Sequence, residues 1–111
     1  MKAHIQENND VVVFRLEGQL TSESCIRLRE KATELLSSTR KAIVFDMSAV
    51  SWIDSEGLEL LLWIRDYCRL SVVQFRLAGL TDNCSKILEM TRLDSEFHCG
   101  VSIPEAVNSL A

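Results

Sequence analysis

The stretch from Ala42 to Tyr67 constrains the fold of this chain more than any other. It opens on Ile43-Val44-Phe45, a short apolar run with β-branched residues that ends in Asp46. Consecutive apolar positions of this kind are the pattern of a parallel strand buried on both faces. A second apolar pair, Trp52-Ile53, leads into Asp54-Ser55-Glu56-Gly57. The run that follows is apolar on nearly every side of about three helical turns. The tetrapeptide therefore sits where the connection from a strand's end meets a helix N-terminus. In open α/β sheets, functional sites gather at that position.

The chemistry of this junction follows from the helix start, which has unpaired N–H groups and a partial positive charge. Asp54 or Ser55 can cap those groups, and Glu56 and Glu59 suit the first turn. Ser55 is expected at the helix mouth with its hydroxyl near solvent. A phosphate is tolerated there, because helix N-termini are natural anion sites. It would leave the helix formed and add roughly two negative charges to its end. A partner docked on that end would then meet charge repulsion and a desolvation cost. The plain alternative is that Ser55 serves only as the helix cap. Leu58 and Leu62 lie one turn apart on the face of Ser55 and are expected to help form an apolar docking patch, provided both are not fully buried.

The rest of the chain supplies the frame. Residues 2–7 read as a short edge strand, and Glu7-Asn8-Asn9-Asp10 as a turn. Val11 to Glu17 alternates as a second strand, making a hairpin with the first. Gly18 to Thr21 is the connection. Thr21 or Ser22 caps a helix to about Ser37, whose buried stripe is Cys25, Leu28, Ala32, Leu35 and Leu36. Residues 37–41 form a loop into the central strand, and Met47 to Ile53 a loop that presents Asp54 and Ser55. The next helix runs from Ser55 to about Arg69 and the next strand from Val72 to Ala78. Gly79-Leu80-Thr81 turns the chain into a helix capped by Thr81 or Asp82 and reaching about Arg92, with Cys84, Ile87, Leu88 and Thr91 inward. Phe97 to Cys99 reads as a short last strand. Ser102-Ile103-Pro104-Glu105 has the spacing of a capping box, and a terminal helix through Leu110 should bury Ala106, Val107 and Leu110. Helices alternate with strands, so the later strands should be parallel.

Composition narrows the function classes. With 111 residues the chain has the size of one domain, 1–111. The net charge of −4, with no basic run, argues against nucleic acid. No stretch reaches the about 18 to 20 apolar residues that span a bilayer, so no direct membrane insertion is expected. The first residues carry no signal-peptide apolar region, and a cytoplasmic location is the expectation. Cys25, Cys68, Cys84 and Cys99 are widely spaced without a Cys-x-x-Cys pair, and read as small reduced hydrophobes rather than a metal or redox site. There is no Gly-rich phosphate loop and no Gly-x-Ser-x-Gly elbow. Asp46 could end a strand as a phospho-acceptor does, yet no acidic pair follows the first strand. Neither a cofactor nor an enzymatic activity is expected.

Within this frame the central segment resembles the STAS domain family, and within it the anti-sigma factor antagonists. The matching residues are Val44, Phe45 and Asp46, then Ile53, Asp54, Ser55, Gly57 and Leu58. Upstream, Leu16-Glu17-Gly18-Gln19-Leu20-Thr21 is similar to the family's Leu-x-Gly-x-Leu turn. Two departures are Glu56, where the family usually has a small residue, and Thr21, where many members have Asp. The resemblance implies an α/β fold, a mixed β-sheet of about four or five strands with packed helices. It also implies a function. The unphosphorylated protein would bind an anti-sigma factor of the serine-kinase type, that kinase would phosphorylate Ser55, and a serine phosphatase would reset it. The partner surface is expected to comprise Gly18, Gln19 and Thr21 together with Asp54, Ser55, Glu56, Gly57, Leu58 and Leu62. The alternative implied by the same resemblance is a constitutive STAS subunit of a lipid-transport ATPase complex.

Overall fold

The computed structural model describes residues 2–8, 10–37, 41–100 and 104. Five strands form one sheet in the order β1-β2-β3-β4-β5, with β1 Lys2–Asn8, β2 Val11–Leu20, β3 Ala42–Ile53, β4 Gln74–Ala78 and β5 His98–Gly100. β1 and β2 form the antiparallel hairpin; the pairs β2–β3, β3–β4 and β4–β5 are parallel. The helices α1 Ser22–Leu36, α2 Ser55–Leu70 and α3 Asp82–Met90 fill the connections, and one 3-10 turn, Asp94–Glu96, precedes β5. This is the mixed sheet with packed helices that the sequence implies. The expected capping box and terminal helix, 102–110, lie outside the described residues apart from Pro104.

The core forms on the face of the sheet that α1, α2 and α3 cover. Phe14, Leu16, Ile43, Phe45, Met47, Phe75 and Leu77 alternate inward from β2, β3 and β4 and meet Leu28, Leu61, Ile64 and Leu88 from the helices. An aromatic chain crosses this face: Phe14–Phe45 at 5.2 Å, Phe45–Phe75 at 5.1 Å and Phe75–Phe97 at 6.2 Å between ring centres. Such pairs add about 0.5–1.5 kcal/mol each beyond the area they bury. The other face has a smaller buried group of Val11, Ala42, Val44 and Ala78. Thr91, expected inward on α3, is exposed, because α3 ends at Met90 and Thr91 is its C-cap.

Two expectations fail where strands end. Met47–Ile53 is not a loop: β3 continues to Ile53, paired in parallel with β2 up to Leu20. β2 likewise passes through the supposed connection Gly18–Leu20. The partnership has two register shifts, at Arg15/Glu17 and at Gly18/Gln19 of β2, and at each it is β3 that carries the extra residue, between Asp46 and Ala49 and between Val50 and Trp52; Gly18 takes φ 113°, which favours glycine. β4 stops at Ala78 opposite Asp46, so β3 overhangs it. The Val50 carbonyl on this overhang accepts from the Thr81 hydroxyl at 3.0 Å and the Cys84 thiol at 3.3 Å, which ties the start of α3 to it. The second failure is at Val72, which belongs to the exit of α2 rather than to β4: its φ is 56°, and Val73 N–H donates back to the Cys68 carbonyl at 2.8 Å.

Candidate functional site

The overhang of β3 delivers Asp54 to a junction of two helix starts. Asp54 is the N-cap of α2, in extended conformation, and its Oδ1 accepts from Gly57 N–H at 2.8 Å. Its Oδ2 accepts from Ser22 N–H, in the first turn of α1, at 3.1 Å. One carboxylate thus meets the positive ends of both helices, which suits a negative charge. Asp54 N–H in turn donates to the Leu20 carbonyl at 3.1 Å, locking the end of β2 to the start of α2.

Gly57 is required by this closeness. A Cβ there would lie 2.5 Å from the Leu20 carbonyl oxygen and 2.9 Å from Ile53 Cγ2. Thr21 is the N-cap of α1; its N–H donates to Ser24 Oγ at 3.1 Å, and the Ser24 hydroxyl lies 3.0 Å from the Thr21 carbonyl and 3.2 Å from that of Gln19. Ser24, which the sequence reading passed over, is the reciprocal half of this cap; Thr-x-x-Ser is a short form of the Ser/Thr-x-x-Glu signal.

With the cap supplied by Asp54, Ser55 is the first residue of α2 and not its cap. It is exposed, and its hydroxyl has no hydrogen-bond partner among the described residues. Glu56 and Glu59 are exposed beside it. Between α1 and α2 runs a groove of about 340 Å³, lined by Ser22, Cys25, Ile26, Arg29, Glu56 and Glu59 among others. Ile26 is 69% exposed in its wall. Arg29 reaches across to lie over the Trp63 ring at 4.8 Å. Burial first, and then the charges of Asp54 and Glu56, push the Cys25 thiol above its ordinary pKa, while Arg29 pulls it back in part. Cys25 is therefore a protonated, weakly nucleophilic thiol at neutral pH.

The structure brings together only part of the expected surface. Asp54, Ser55 and Glu56 meet at the junction. Leu58, at 9% exposure, belongs to the core, and of the leucine pair only Leu62 stays half-exposed. The two-leucine patch is thereby reduced to Leu62. Gln19 and Thr21 line a different opening of about 580 Å³ on the other flank of α1, with Glu23, Arg27 and Lys31. Gly18 is exposed one step back along β2, opposite Val50. Trp52, paired with Gln19 across the overhang, is 50% exposed, a large aromatic that no sequence expectation assigned to the surface.

Asp46 is the buried charged residue among those described, at 6% exposure; its Oδ1 accepts from Ser48 N–H at 3.0 Å and Ser48 Oγ–H at 2.7 Å. That is a structural role, marking where β4 ends and β3 goes on. Among the described residues no group of three or more His, Cys, Asp and Glu could hold a metal ion. No helix among them is long and apolar enough to cross a membrane.

The family model of the STAS domain matches residues 2–106. The chain belongs to the STAS domain family. Solved structures agree on the fold. A Thermotoga maritima protein assigned as an anti-sigma factor antagonist matches with a TM-score of 0.90 at 23% identity, over 97% of this chain and 93% of that one. An anti-sigma factor antagonist from Mycobacterium paratuberculosis matches with a TM-score of 0.88 at 18% identity, over 98% and 92%. The Bacillus cell-fate determinant SpoIIAA, in its phosphorylated form, matches with a TM-score of 0.74 at 18% identity, over 96% and 97%.

Proposed function

We propose that this protein is a phosphorylation-gated anti-sigma factor antagonist, a partner-switching regulator of the cytoplasm. Unphosphorylated, it binds an anti-sigma factor of the serine-kinase type. That kinase phosphorylates Ser55, the complex separates, and a serine phosphatase restores the binding form. The chain is substrate and switch, not catalyst. The observation that carries the reading is the division of labour at the junction: Asp54 takes the cap, which leaves the Ser55 hydroxyl exposed and without a structural partner. The similarity in fold to a phosphorylated SpoIIAA supports it.

The partner surface in this reading is the end of α2 with its flanks: Asp54, Ser55, Glu56 and Leu62, with Gly18, Gln19 and Thr21 on the approach from β2. Gly57 sets the spacing of that surface from within, and Leu58 underlies it. A phosphoserine carries about −1.5 to −2 charges at pH 7. It would stand beside Glu56 and Glu59, on a helix end that tolerates the anion. The fold survives and the surface changes. A loss of about 3 kcal/mol in binding corresponds to roughly a hundredfold in affinity.

Two measurements test this. Tryptic peptides from the protein isolated from its own cells should carry phosphate on the fragment Ala42 to Arg65, placed by its fragment ions on Ser55 rather than Ser48 or Ser51. Ser55→Ala should hold the kinase partner constitutively and Ser55→Asp should hold it poorly. Equal affinities for the two variants would sink the switch, and a phosphate absent under every growth condition would favour a constitutive subunit of a transport complex.

A further inference from the structure

Asp54 uses its two oxygens on two helices. The bond to Gly57 N–H is local and short at 2.8 Å, held by the geometry of the helix start. The bond to Ser22 N–H, at 3.1 Å, joins residues 32 apart in sequence and draws the start of α1 against the start of α2. The groove between those helices begins here, with Ser22 in one wall and Glu56 in the other. Farther along, the same two helices are joined by Arg29 over Trp63.

A phosphate on Ser55 would sit one residue from this carboxylate. A dianion one residue away repels the Asp54 carboxylate, while the start of α2 still holds its Oδ1 through Gly57 N–H. Glu56 and Glu59 already place negative charge on the groove side. Of the two Asp54 bonds, the longer one to α1 is the one that gives way, because no helix geometry restrains it.

We propose that Asp54 is the positioning residue of the switch: phosphorylation of Ser55 draws its carboxylate off Ser22 N–H, frees the first turn of α1 and reshapes the groove between α1 and α2. This rests on Ser55 as the modified residue of the proposed function. The partner then meets an altered surface as well as an added charge.

The test needs no partner and no kinase. Phosphoserine is installed at position 55 of the full chain by genetic code expansion, and amide hydrogen exchange is followed by NMR at Ser22 and Gly57. The phosphorylated protein should show Ser22 exchange faster by about five- to tenfold, the worth of one capping bond, with Gly57 little changed. Asp54→Asn keeps an oxygen for Gly57 but turns a donor toward Ser22; there Ser22 should exchange fast from the start, and phosphate should add nothing. Asp54→Ser, which caps α2 with its single oxygen, gives the same comparison should the Asn variant fold poorly. Equal Ser22 exchange with and without phosphate overturns the proposal. So does a phosphate-dependent rise of the same size in the Asp54 variants. Because the phosphate is installed during synthesis, this outcome is independent of whether cells phosphorylate Ser55, and failure of the one reading is distinguishable from failure of the other.

Discussion

Gly57→Ala offers a prediction whose sign separates two accounts of the junction. Gly57 is in the first turn of α2, and its φ is not among the positive glycine values, which occur at Gly18 and Gly79. In a helix, alanine is favoured over glycine by about 1 kcal/mol, so local propensity alone predicts a more stable protein. The packing predicts the reverse. The new Cβ would stand 2.5 Å from the Leu20 carbonyl oxygen, 2.9 Å from Ile53 Cγ2 and 3.0 Å from Leu20 Cγ. The Leu20 oxygen is backbone and already accepts from Asp54 N–H, and both Leu20 and Ile53 are core residues. Nothing flexible can move aside, so α2 must shift, and the cap on Gly57 N–H loosens with it. Overpacking of this kind costs about 1–3 kcal/mol and a weakened cap about 1 kcal/mol. After the propensity gain, the net loss is about 2 kcal/mol. Urea denaturation followed by far-UV circular dichroism should show the midpoint falling by about 1–2 M at unchanged slope. The thermal midpoint should drop by roughly 10 °C. A variant as stable as the parent, or more stable, would refute the close approach of β2 and α2 as the reason for this glycine.

Three further predictions address other places in the fold. Val72 is β-branched, takes φ 56° at the exit of α2 and is 87% exposed, so Val72→Gly relieves strain without losing packing; the gain should be about 0.5–1 kcal/mol, read as a thermal midpoint higher by a few degrees. Asp46→Ala leaves Ser48 N–H and Oγ–H without their acceptor at a partly buried position, and should cost about 1–3 kcal/mol in urea denaturation, more than Ser48→Ala. Burial pushes the Cys68 thiol from 9.0 to about 12. The buried thiol is neutral below pH 9 in both states; above it the unfolded state loses the proton first, so stability is lost as pH rises from about 9 to 12. Folding stability measured between pH 8 and 10.5 should fall less steeply in Cys68→Ala, and a parallel slope would show that Cys68 is not the titrating group.

The order of elements was legible because the signals are local. Consecutive apolar residues at Ile43-Val44-Phe45 made the central strand plain, and the helical spacing in α1 and α2 survives in the burial of Leu28, Ala32, Leu61 and Ile64. The ends of strands were not legible, because a strand ends where its partner does. Ser48, Ala49 and Ser51 are small or polar and read as loop, yet β3 runs on through them: Ala49 pairs with Glu17 of β2, which extends to Leu20, and Ser48 and Ser51 fall at the two register shifts where β3 carries an extra residue. Half of that ladder is a property of β2. Val72 misled for the converse reason: its β-branched side chain fits a strand, while its backbone is held at a helix exit by the carbonyls of Cys68 and Arg69. The face of α2 was overfilled with leucine, so the docking pair could not be separated from the core by periodicity; burial assigns Leu58 to the core and leaves Leu62 at its margin.

The choice of cap shows why the site itself was half legible. Asp and Ser are nearly equal as N-caps, so the sequence Asp54-Ser55 leaves the helix start ambiguous by one residue. A hydroxyl can accept for one helix end. A carboxylate has two oxygens and full charge, and at this position two helix ends are within reach: Gly57 N–H of α2 and Ser22 N–H of α1. Asp54 therefore wins the cap on account of α1, which is packed against α2 by the tertiary fold and is invisible in the local sequence. Ser55, displaced into the helix by that one residue, keeps an exposed hydroxyl with no structural duty among the described residues. The same contact that stabilises the junction is what makes its serine available for chemistry, and a modification there lies one residue from the group that holds the two helices together.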